Sequence, residues 1–126
     1  MQGALFEMSG AEGYDSKTFI RVFMRSKIAE GLDSDFDFTQ WAGKEYIMER
    51  MKEEYPEGFS QKGIVFDSET LYWAGYLYRY WHFYTGESSK DIYKQANAQT
   101  VNTMYYGYHT LDIEMAIDRL KEAKKK

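Results

Sequence analysis

The feature that most constrains this chain is a dense run of aromatic residues in its second half. Between Tyr72 and Tyr84, eight of thirteen residues are Phe, Trp or Tyr. A capping residue precedes this run and Gly86 follows it, which predicts one helix over residues 68–85. A helix that is apolar nearly all round is usually buried on several sides, so we predict that it is the centre of the fold. Gly75 is unfavourable inside a helix, and we expect it to admit a close neighbour.

Helical periodicity runs through most of the remaining chain. Apolar stripes with capping residues predict further helices at residues 15–31, 39–55, 88–97, 99–106 and from 110 onward. Residues 1–14 contain three glycines and no helical period, which predicts an extended arm. Residues 63–66 have no partner for a sheet and are interpreted as a buried extended segment. We therefore predict a single all-α domain over residues 1–126, with five or six helices around the 68–85 helix.

The composition excludes several classes of protein. The chain has no cysteine, which excludes a disulfide framework, thiol catalysis and thiolate zinc sites. The formal net charge is -4, which is not the footprint of a strong nucleic-acid binder. No apolar run approaches the roughly 20 residues of a membrane span, and the amino terminus lacks the basic start of a signal peptide. We therefore expect a cytoplasmic protein without membrane contact. We also expect no cofactor, because the sequence contains no phosphate loop and no dinucleotide fingerprint.

Two residues of the aromatic helix form the main candidate for catalysis. Arg79 and His82 are three positions apart, so a helix places them on one side. A histidine can act as a general base and an arginine can hold an anion. Helical ribonuclease toxins use these residue types at a longer spacing, so we favour a structural role. His82 is then expected at the rim of the aromatic core, with one ring nitrogen hydrogen bonded.

The patterns that would indicate a metal site are incomplete. Asp33, Asp35 and Asp37 alternate as at the start of a calcium loop, but the glycine at position six and the glutamate at position twelve are missing. We interpret them as a solvated acidic turn. The second histidine, His109, lies before the last helix and has no partner at ligand spacing. We expect it to cap or hydrogen bond, and we expect no metal site.

Residues 88–106 read as a helix, a short turn and a second helix, which is a pattern that can bind DNA. Gln99, Asn102 and Thr103 on the second helix can hydrogen bond to base edges. That helix has no arginine or lysine for phosphates, so a structural hairpin is favoured. We expect it to pack substantially against the domain without basic surroundings. The first helix carries a basic stripe that consists of Lys17, Arg21 and Arg25. Such a stripe is typical of a solvated face, and it could also bind an acidic partner.

Tyrosine is abundant, with 12 residues in the chain. Most of these rings are expected to fill the core. The aromatic helix has too many large rings for one helix contact, so we expect some tyrosines to remain at the surface, where the hydroxyl tolerates water. Such a patch would bind a partner protein or a second copy of the chain. The candidates for this interface are Tyr76, Tyr80, Tyr84 and Tyr106.

Four segments together resemble a group of small proteins from Firmicutes and other gut bacteria. They are FIRVFM at 19–24, WAG at 41–43, WAGYLYRYWH at 73–82 and TGESSK at 85–90. In that group the genes lie beside those of small partner proteins, one of which resembles ADP-ribosyltransferase toxins. The resemblance implies a toxin–antitoxin-like cassette. It carries no known chemistry, so it transfers no catalytic residue.

These observations favour binding over catalysis. We predict a non-catalytic protein-binding module, with the resemblance implying an antitoxin or a regulatory partner of a toxin-like enzyme. The first alternative is a helix-turn-helix DNA-binding regulator that uses residues 88–106. The second alternative is a small enzyme that uses Arg79 and His82.

Overall fold

The computed structural model describes residues 1–34 and 43–125. Asp35 and Asp37 of the acidic turn, and the predicted start of a helix at residue 39, lie outside these ranges. Within them the chain is all-helical and has no strand. Its eight helices are α1 (Gln2–Ala11), α2 (Ser16–Met24), α3 (Lys27–Asp33), α4 (Lys44–Glu54), α5 (Ser68–Thr85), α6 (Ser89–Gln95), α7 (Ala98–Tyr108) and α8 (Ile113–Lys125).

The expected count of five or six helices was too low, in part because one predicted helix is two. Ser26 interrupts the helix expected over residues 15–31. Its hydroxyl donates to the Phe23 carbonyl at 2.6 Å, and the same oxygen accepts from the Ala29 amide at 3.0 Å. A serine that ends one helix and caps the next separates α2 from α3.

The second additional helix is α1, where we expected an extended arm over residues 1–14. That expectation was wrong, because packing overrides the poor helix propensity of this segment. Leu5 and Phe6 are fully buried in the core, and Ser9 is buried beside them. The glycines that argued against a helix are the residues that let α1 approach α5.

Gly75 admits a close neighbour, as predicted. A Cβ atom at this position would lie 2.5 Å from the Gln2 carbonyl oxygen and 2.7 Å from the Gly3 Cα atom. A Cβ atom at Gly3 would in turn lie 2.7 Å from the Tyr72 carbonyl oxygen. The two backbones therefore touch at this crossing, and the Gln2 side-chain amide donates to the Gly75 carbonyl at 3.2 Å.

Helix α5 packs against α1, α6, α7 and α8. Its buried face carries Trp81 and Tyr78. Tyr78 packs against Phe6 of α1, which also contacts the rings of Phe19 and Phe23 in α2. The hydroxyl of Tyr78 donates to the Ala96 carbonyl at 2.7 Å, which ties α5 to the end of α6. The coverage is incomplete, because Tyr72, Tyr76, Phe83 and Tyr84 of α5 are exposed.

The connection between α4 and α5 is held by the start of α2. Asp15 caps α2 by accepting from the Thr18 amide at 3.1 Å, and it also accepts from the Ile64 amide at 3.0 Å. The prediction that residues 63–66 are buried was wrong for most of the segment, because Ile64 is 76% exposed and only Phe66 is buried. In the ranges described, no helix is long and apolar enough to cross a membrane.

Candidate functional site

Arg79 and His82 lie beside a buried carboxylate that sequence reasoning did not connect to them. Arg79 Nη1 donates to Asp33 Oδ1 at 2.8 Å, and the two side chains are only 16% and 11% exposed. Asp33 Oδ2 accepts from the Ser89 amide at 2.7 Å, while the Ser89 hydroxyl donates to Oδ1 at 2.8 Å. Arg79 Nε donates to the Gln2 side chain at 3.0 Å. Burial lowers the pKa of the Arg79 guanidinium, and the Asp33 carboxylate opposes that shift. This network joins α1, α3, α5 and α6.

His82 lies between this network and a second one. Its Nδ1 atom is 2.7 Å from the Glu87 carbonyl oxygen and 3.7 Å from Asp33 Oδ1. A carbonyl oxygen only accepts, so Nδ1 carries the hydrogen. The Glu87 carboxylate accepts from Trp81 Nε1 at 3.0 Å and from Lys121 Nζ at 2.6 Å. Burial of the Glu87 carboxyl disfavours its ionisation, but hydrogen bonds from Lys121, Trp81 and Gln95 outweigh burial and lower its pKa to about 2.

These contacts support the structural interpretation of Arg79 and His82. A catalytic pair would converge on one open cavity with free polar groups. Here the guanidinium contacts three side chains, and the described His82 nitrogen binds a backbone carbonyl. In residues 1–34 and 43–125, no buried side-chain nitrogen or oxygen is left without a partner. Arg79 lines a surface cavity of about 220 Å³ with Met1, Gln2, Leu32 and Phe83, and His82 is not part of that lining. The two side chains therefore join helices and do not converge on one cavity.

Four tyrosines of α5, three of them exposed and Tyr80 half-buried, form a row that we call the tyrosine stripe. It consists of Tyr72, Tyr76, Tyr80 and Tyr84, spaced at i, i+4, so one side of the helix carries all four. The ring centroids of Tyr76 and Tyr80 are 6.0 Å apart, and those of Tyr80 and Tyr84 are 6.5 Å apart. By contrast, Trp81 is fully buried, so the outward face of α5 presents tyrosines together with Phe83.

Carboxylates of α8 border the stripe. The Tyr80 hydroxyl donates to Glu114 Oε2 at 2.8 Å, and the Tyr84 hydroxyl donates to Asp118 Oδ1 at 3.1 Å. These hydrogen bonds raise the pKa of both phenols. Throughout the described part of the chain, no lysine, arginine or histidine forms an ion pair with Glu114 or Asp118. The stripe is therefore an apolar row with an uncompensated acidic edge.

One end of the stripe opens into a surface cavity of about 290 Å³, which we call the aromatic hollow. The Trp73 and Tyr105 rings meet edge to face at 5.6 Å, and His109 stacks on Tyr105 at 4.3 Å. The hollow is lined by the rings of Tyr72, Trp73, Tyr76, Tyr105 and His109 and by the carboxylates of Glu7 and Glu69. Tyr76 belongs to both features, so the stripe and the hollow form one face.

Sequence reasoning identified part of this face. Tyr76, Tyr80 and Tyr84 lie on it in one row, whereas Tyr106 is 87% exposed on α7 and does not line the hollow. Its neighbour Tyr105 lines the hollow. The missed members are Tyr72, Trp73, Tyr105, Glu7, Glu69, Glu114 and Asp118. The spacing of four positions between Tyr72 and Tyr76 could have placed Tyr72 in the same row. The residues from α1, α7 and α8 had no signal, since only the tertiary arrangement brings them to α5.

The proposed DNA-reading helix, α7, packs against α2 and α5, in keeping with the expected packing against the domain. Ala98 and Val101 are buried, and Met104 and Tyr108 are partly buried against the core. Gln99 and Thr103 are exposed and hydrogen bonded to each other at 3.0 Å, and Asn102 is half-buried.

Basic residues from the end of α2 and from α6 meet at Asn97, which precedes α7, and none of residues 99–106 lines the hollow that they form. A basic hollow of about 300 Å³ is lined there by Arg25, Lys90, Tyr93, Lys94 and Asn97. Lys94 is 3.7 Å from the Asp91 carboxylate, which reduces the positive charge of this hollow. The basic stripe on α2 is exposed at Lys17, Arg21 and Arg25.

His109 hydrogen bonds locally. Its Nδ1 atom donates to the Tyr105 carbonyl at 2.8 Å near the end of α7. Within the ranges that the structure describes, no group of three or more His, Asp and Glu side chains is placed to hold a metal ion.

A further surface cavity, of about 560 Å³, lies between α1, α5 and the segment before α5. Its lining is mainly apolar, with Met8, Val65, Phe66 and Leu71, and includes Lys44, which begins α4. Few polar groups converge there, so it does not meet the criteria for a catalytic pocket.

Comparisons with protein families, curated proteins and solved structures find no match to this chain.

Proposed function

We propose that this protein is a non-catalytic binding module that uses the tyrosine stripe and its acidic edge to bind a basic surface of a partner protein. The observation that carries the proposal is the row of four tyrosines along α5, of which Tyr72, Tyr76 and Tyr84 are exposed. Exposed tyrosines combine a large apolar ring with a polar tip and are enriched at protein interfaces. A contiguous aromatic patch on an otherwise polar surface is typical of an interaction site.

The charge of the face specifies the kind of partner. Glu114 and Asp118 accept hydrogen bonds from the stripe tyrosines and have no cationic partner in the described residues. Their negative charge, together with the net charge of -4, attracts a positive surface and speeds its encounter. The partner is therefore a protein whose contact surface carries arginine or lysine.

A symmetric pairing of two copies through this face is disfavoured. In a two-fold dimer the same patch meets itself, so Glu114 and Asp118 of one copy would approach those of the other. Like charges placed opposite each other at an interface are unfavourable. A heterologous partner is therefore favoured over a homodimer.

Site-specific photo-crosslinking in the native host tests the proposal. A photoreactive phenylalanine replaces Tyr76 or Tyr84 in turn, and the matched control replaces Tyr46, a tyrosine of α4 that is 45% exposed. We expect a single protein to crosslink at positions 76 and 84 but not at 46. Equal crosslinking at all three positions, or crosslinking at 46 alone, contradicts the proposal.

The resemblance described above suggests a more specific role as an antitoxin or a regulatory partner of a toxin-like enzyme. This remains a prediction. If it is right, the crosslinked protein is the product of an adjacent gene. The decisive assay measures whether the purified chain inhibits the activity of that protein. A partner encoded elsewhere, without effect on any toxin, contradicts this narrower role and leaves the binding proposal standing.

The second candidate function is nucleic-acid binding through the basic hollow at the start of α7. Arg25 and Lys90 supply positive charge there, and Gln99 is exposed nearby on α7. Fluorescence anisotropy of labelled duplex DNA tests this function. Salt-dependent binding that is lost on Lys90→Gln with Arg25→Gln, and retained on Lys52→Gln with Lys124→Gln, would favour it over the protein-binding proposal.

A further inference from the structure

The aromatic hollow has a composition that points to a particular ligand chemistry. Its walls are aromatic faces and edges from α5 and α7, and its charged residues are the carboxylates of Glu7 and Glu69. Aromatic faces attract cations through the negative potential above the ring. Carboxylates add direct attraction, so both kinds of lining favour the same sign of ligand charge.

We infer that the aromatic hollow binds the guanidinium group of an arginine side chain presented by the partner. This inference rests on the proposed function and deepens it by assigning the partner's anchoring residue. Glu7 and Glu69 provide the charge. His109 already stacks on Tyr105, so Tyr72, Trp73 and Tyr76 provide the aromatic lining against which the guanidinium packs.

The negative charge of the hollow is not neutralised within the described chain. Glu7 accepts a hydrogen bond from the Ser68 hydroxyl, and Tyr105 lies 3.5 Å from Glu69 Oε2. Neither carboxylate forms an ion pair with any lysine, arginine or histidine in residues 1–34 and 43–125. Partial burial and the nearby Glu69 charge raise the pKa of Tyr105, which reflects the negative potential at this end of α7.

The form of the hollow favours arginine over other organic cations. Guanidinium is planar, so it stacks flat on an aromatic face and still directs its N–H groups sideways to carboxylates. A quaternary ammonium has no donor for Glu7 and Glu69, and an ammonium of lysine is a strongly hydrated point charge. A volume of about 290 Å³ is at the lower limit of ligand pockets, which suits one side chain better than a whole metabolite.

The position of the hollow agrees with an anchoring role. It lies at one end of the tyrosine stripe, and Tyr76 is common to both. A partner that covers the stripe would exclude water from the hollow, which strengthens each contact with the guanidinium. An arginine at this point would be an interface anchor of the kind that dominates binding energy.

The experiment is a titration of the full chain with N-acetyl-arginine amide, followed by the indole N–H signal of Trp73 in a ¹⁵N-correlated NMR spectrum. Trp73→Phe assigns this signal. N-acetyl-lysine amide and tetramethylammonium are titrated in parallel at constant ionic strength. We expect a saturable shift with the arginine compound, with a dissociation constant on the order of 1–10 mM, and at least about fivefold weaker binding of the other two cations.

A matched pair of double variants tests the site. Glu7→Gln with Glu69→Gln removes two charges from the hollow, and Glu53→Gln with Glu57→Gln removes two charges from exposed residues that do not line it. We expect the first pair to weaken arginine binding at least about tenfold and the second to change it less than about twofold. An unchanged Trp81 signal verifies folding of each variant.

Three results would overturn the inference. They are the absence of a saturable shift up to about 100 mM, equal losses in the two double variants, and tighter binding of tetramethylammonium than of the arginine compound. None of these results depends on the stripe residues Tyr80 and Tyr84. The binding proposal therefore fails separately, through the crosslinking experiment.

Discussion

Arg79 donates from Nη1 to Asp33 Oδ1 at 2.8 Å, across 46 positions of sequence, and both side chains are nearly buried. The pair joins α5 to the end of α3, and Ser89 extends the contact to α6. A buried ion pair of this kind adds little beyond what an apolar pair would, but loss of one partner leaves an isolated charge in a dry site. The relationship gives the arginine on the aromatic helix a structural role.

Replacement of Asp33 by asparagine tests this explanation. Asp33→Asn leaves the Arg79 charge without a counterion, and we expect it to lower the free energy of unfolding by about 3 kcal/mol. Urea denaturation followed by circular dichroism measures the change. The control is Glu49→Gln, which breaks an exposed pair with Lys52 whose side chains are 68% and 42% exposed, and we expect less than about 0.5 kcal/mol there. Equal small losses in both variants would show that the Asp33 contact is not structural.

A pair of glycine substitutions tests the contact between α1 and α5. A Cβ atom at Gly75 would lie 2.5 Å from the Gln2 carbonyl oxygen, whereas a Cβ atom at Gly107 in α7 has no atom within 4 Å. We expect Gly75→Ala to destabilise the protein by about 2 kcal/mol because the helices must separate. Gly107→Ala is expected to stabilise by about 0.5 kcal/mol through helix propensity. Thermal unfolding distinguishes them, and a stable Gly75→Ala protein is incompatible with the described crossing.

Glu87 makes the stability of the fold depend on acidity. Hydrogen bonds from Lys121, Trp81 and Gln95 overcome its burial and lower its pKa from 4.5 to about 2. A carboxyl group whose pKa is lower in the folded state than in the unfolded state stabilises the fold at pH values above the unfolded-state pKa. This stabilisation is lost as the pH falls from about 4.5 toward 2.

The variant Glu87→Gln isolates this effect. The difference in unfolding free energy between the wild type and Glu87→Gln is expected to shrink by about 2 kcal/mol between pH 5 and pH 2. Urea titrations at four pH values measure it, and other carboxyl groups cancel because both proteins contain them. A difference that stays constant over this range contradicts the assignment of Glu87 as the titrating group.

Local rules predicted much of the secondary structure. Asp15 and Ser88 cap helices where the sequence indicated a start, and Asn97, which was expected only to turn the chain, caps α7. Each accepts a hydrogen bond from the third amide of its helix. Gly86 ends α5 with a positive φ of 78°, as a glycine after the last helical residue favours. These features depend on a few neighbouring residues, so the sequence alone contains them.

The features that the sequence did not reveal depend on contacts between distant residues. Helix α1 was predicted as an extended arm because Gly3 lowers its helix propensity, yet the same glycine permits the contact with Tyr72. Asp33 was interpreted as part of an acidic turn, although it binds Arg79. The tyrosine stripe was partly predicted because its spacing is local to α5, while Glu114 and Asp118 reach it only through the packing of α8.

The tyrosine stripe is proposed to bind a partner protein, and the dissociation constant of the purified complex measures that binding. Isothermal titration calorimetry compares the wild type, Tyr80→Ser with Tyr84→Ser, and the control Tyr46→Ser, with the partner identified by crosslinking. We predict that the stripe variant binds at least about 100-fold more weakly, because buried tyrosines at an interface contribute strongly to affinity, and that the control binds like the wild type. A stripe variant that remains folded and binds with wild-type affinity would contradict the claim.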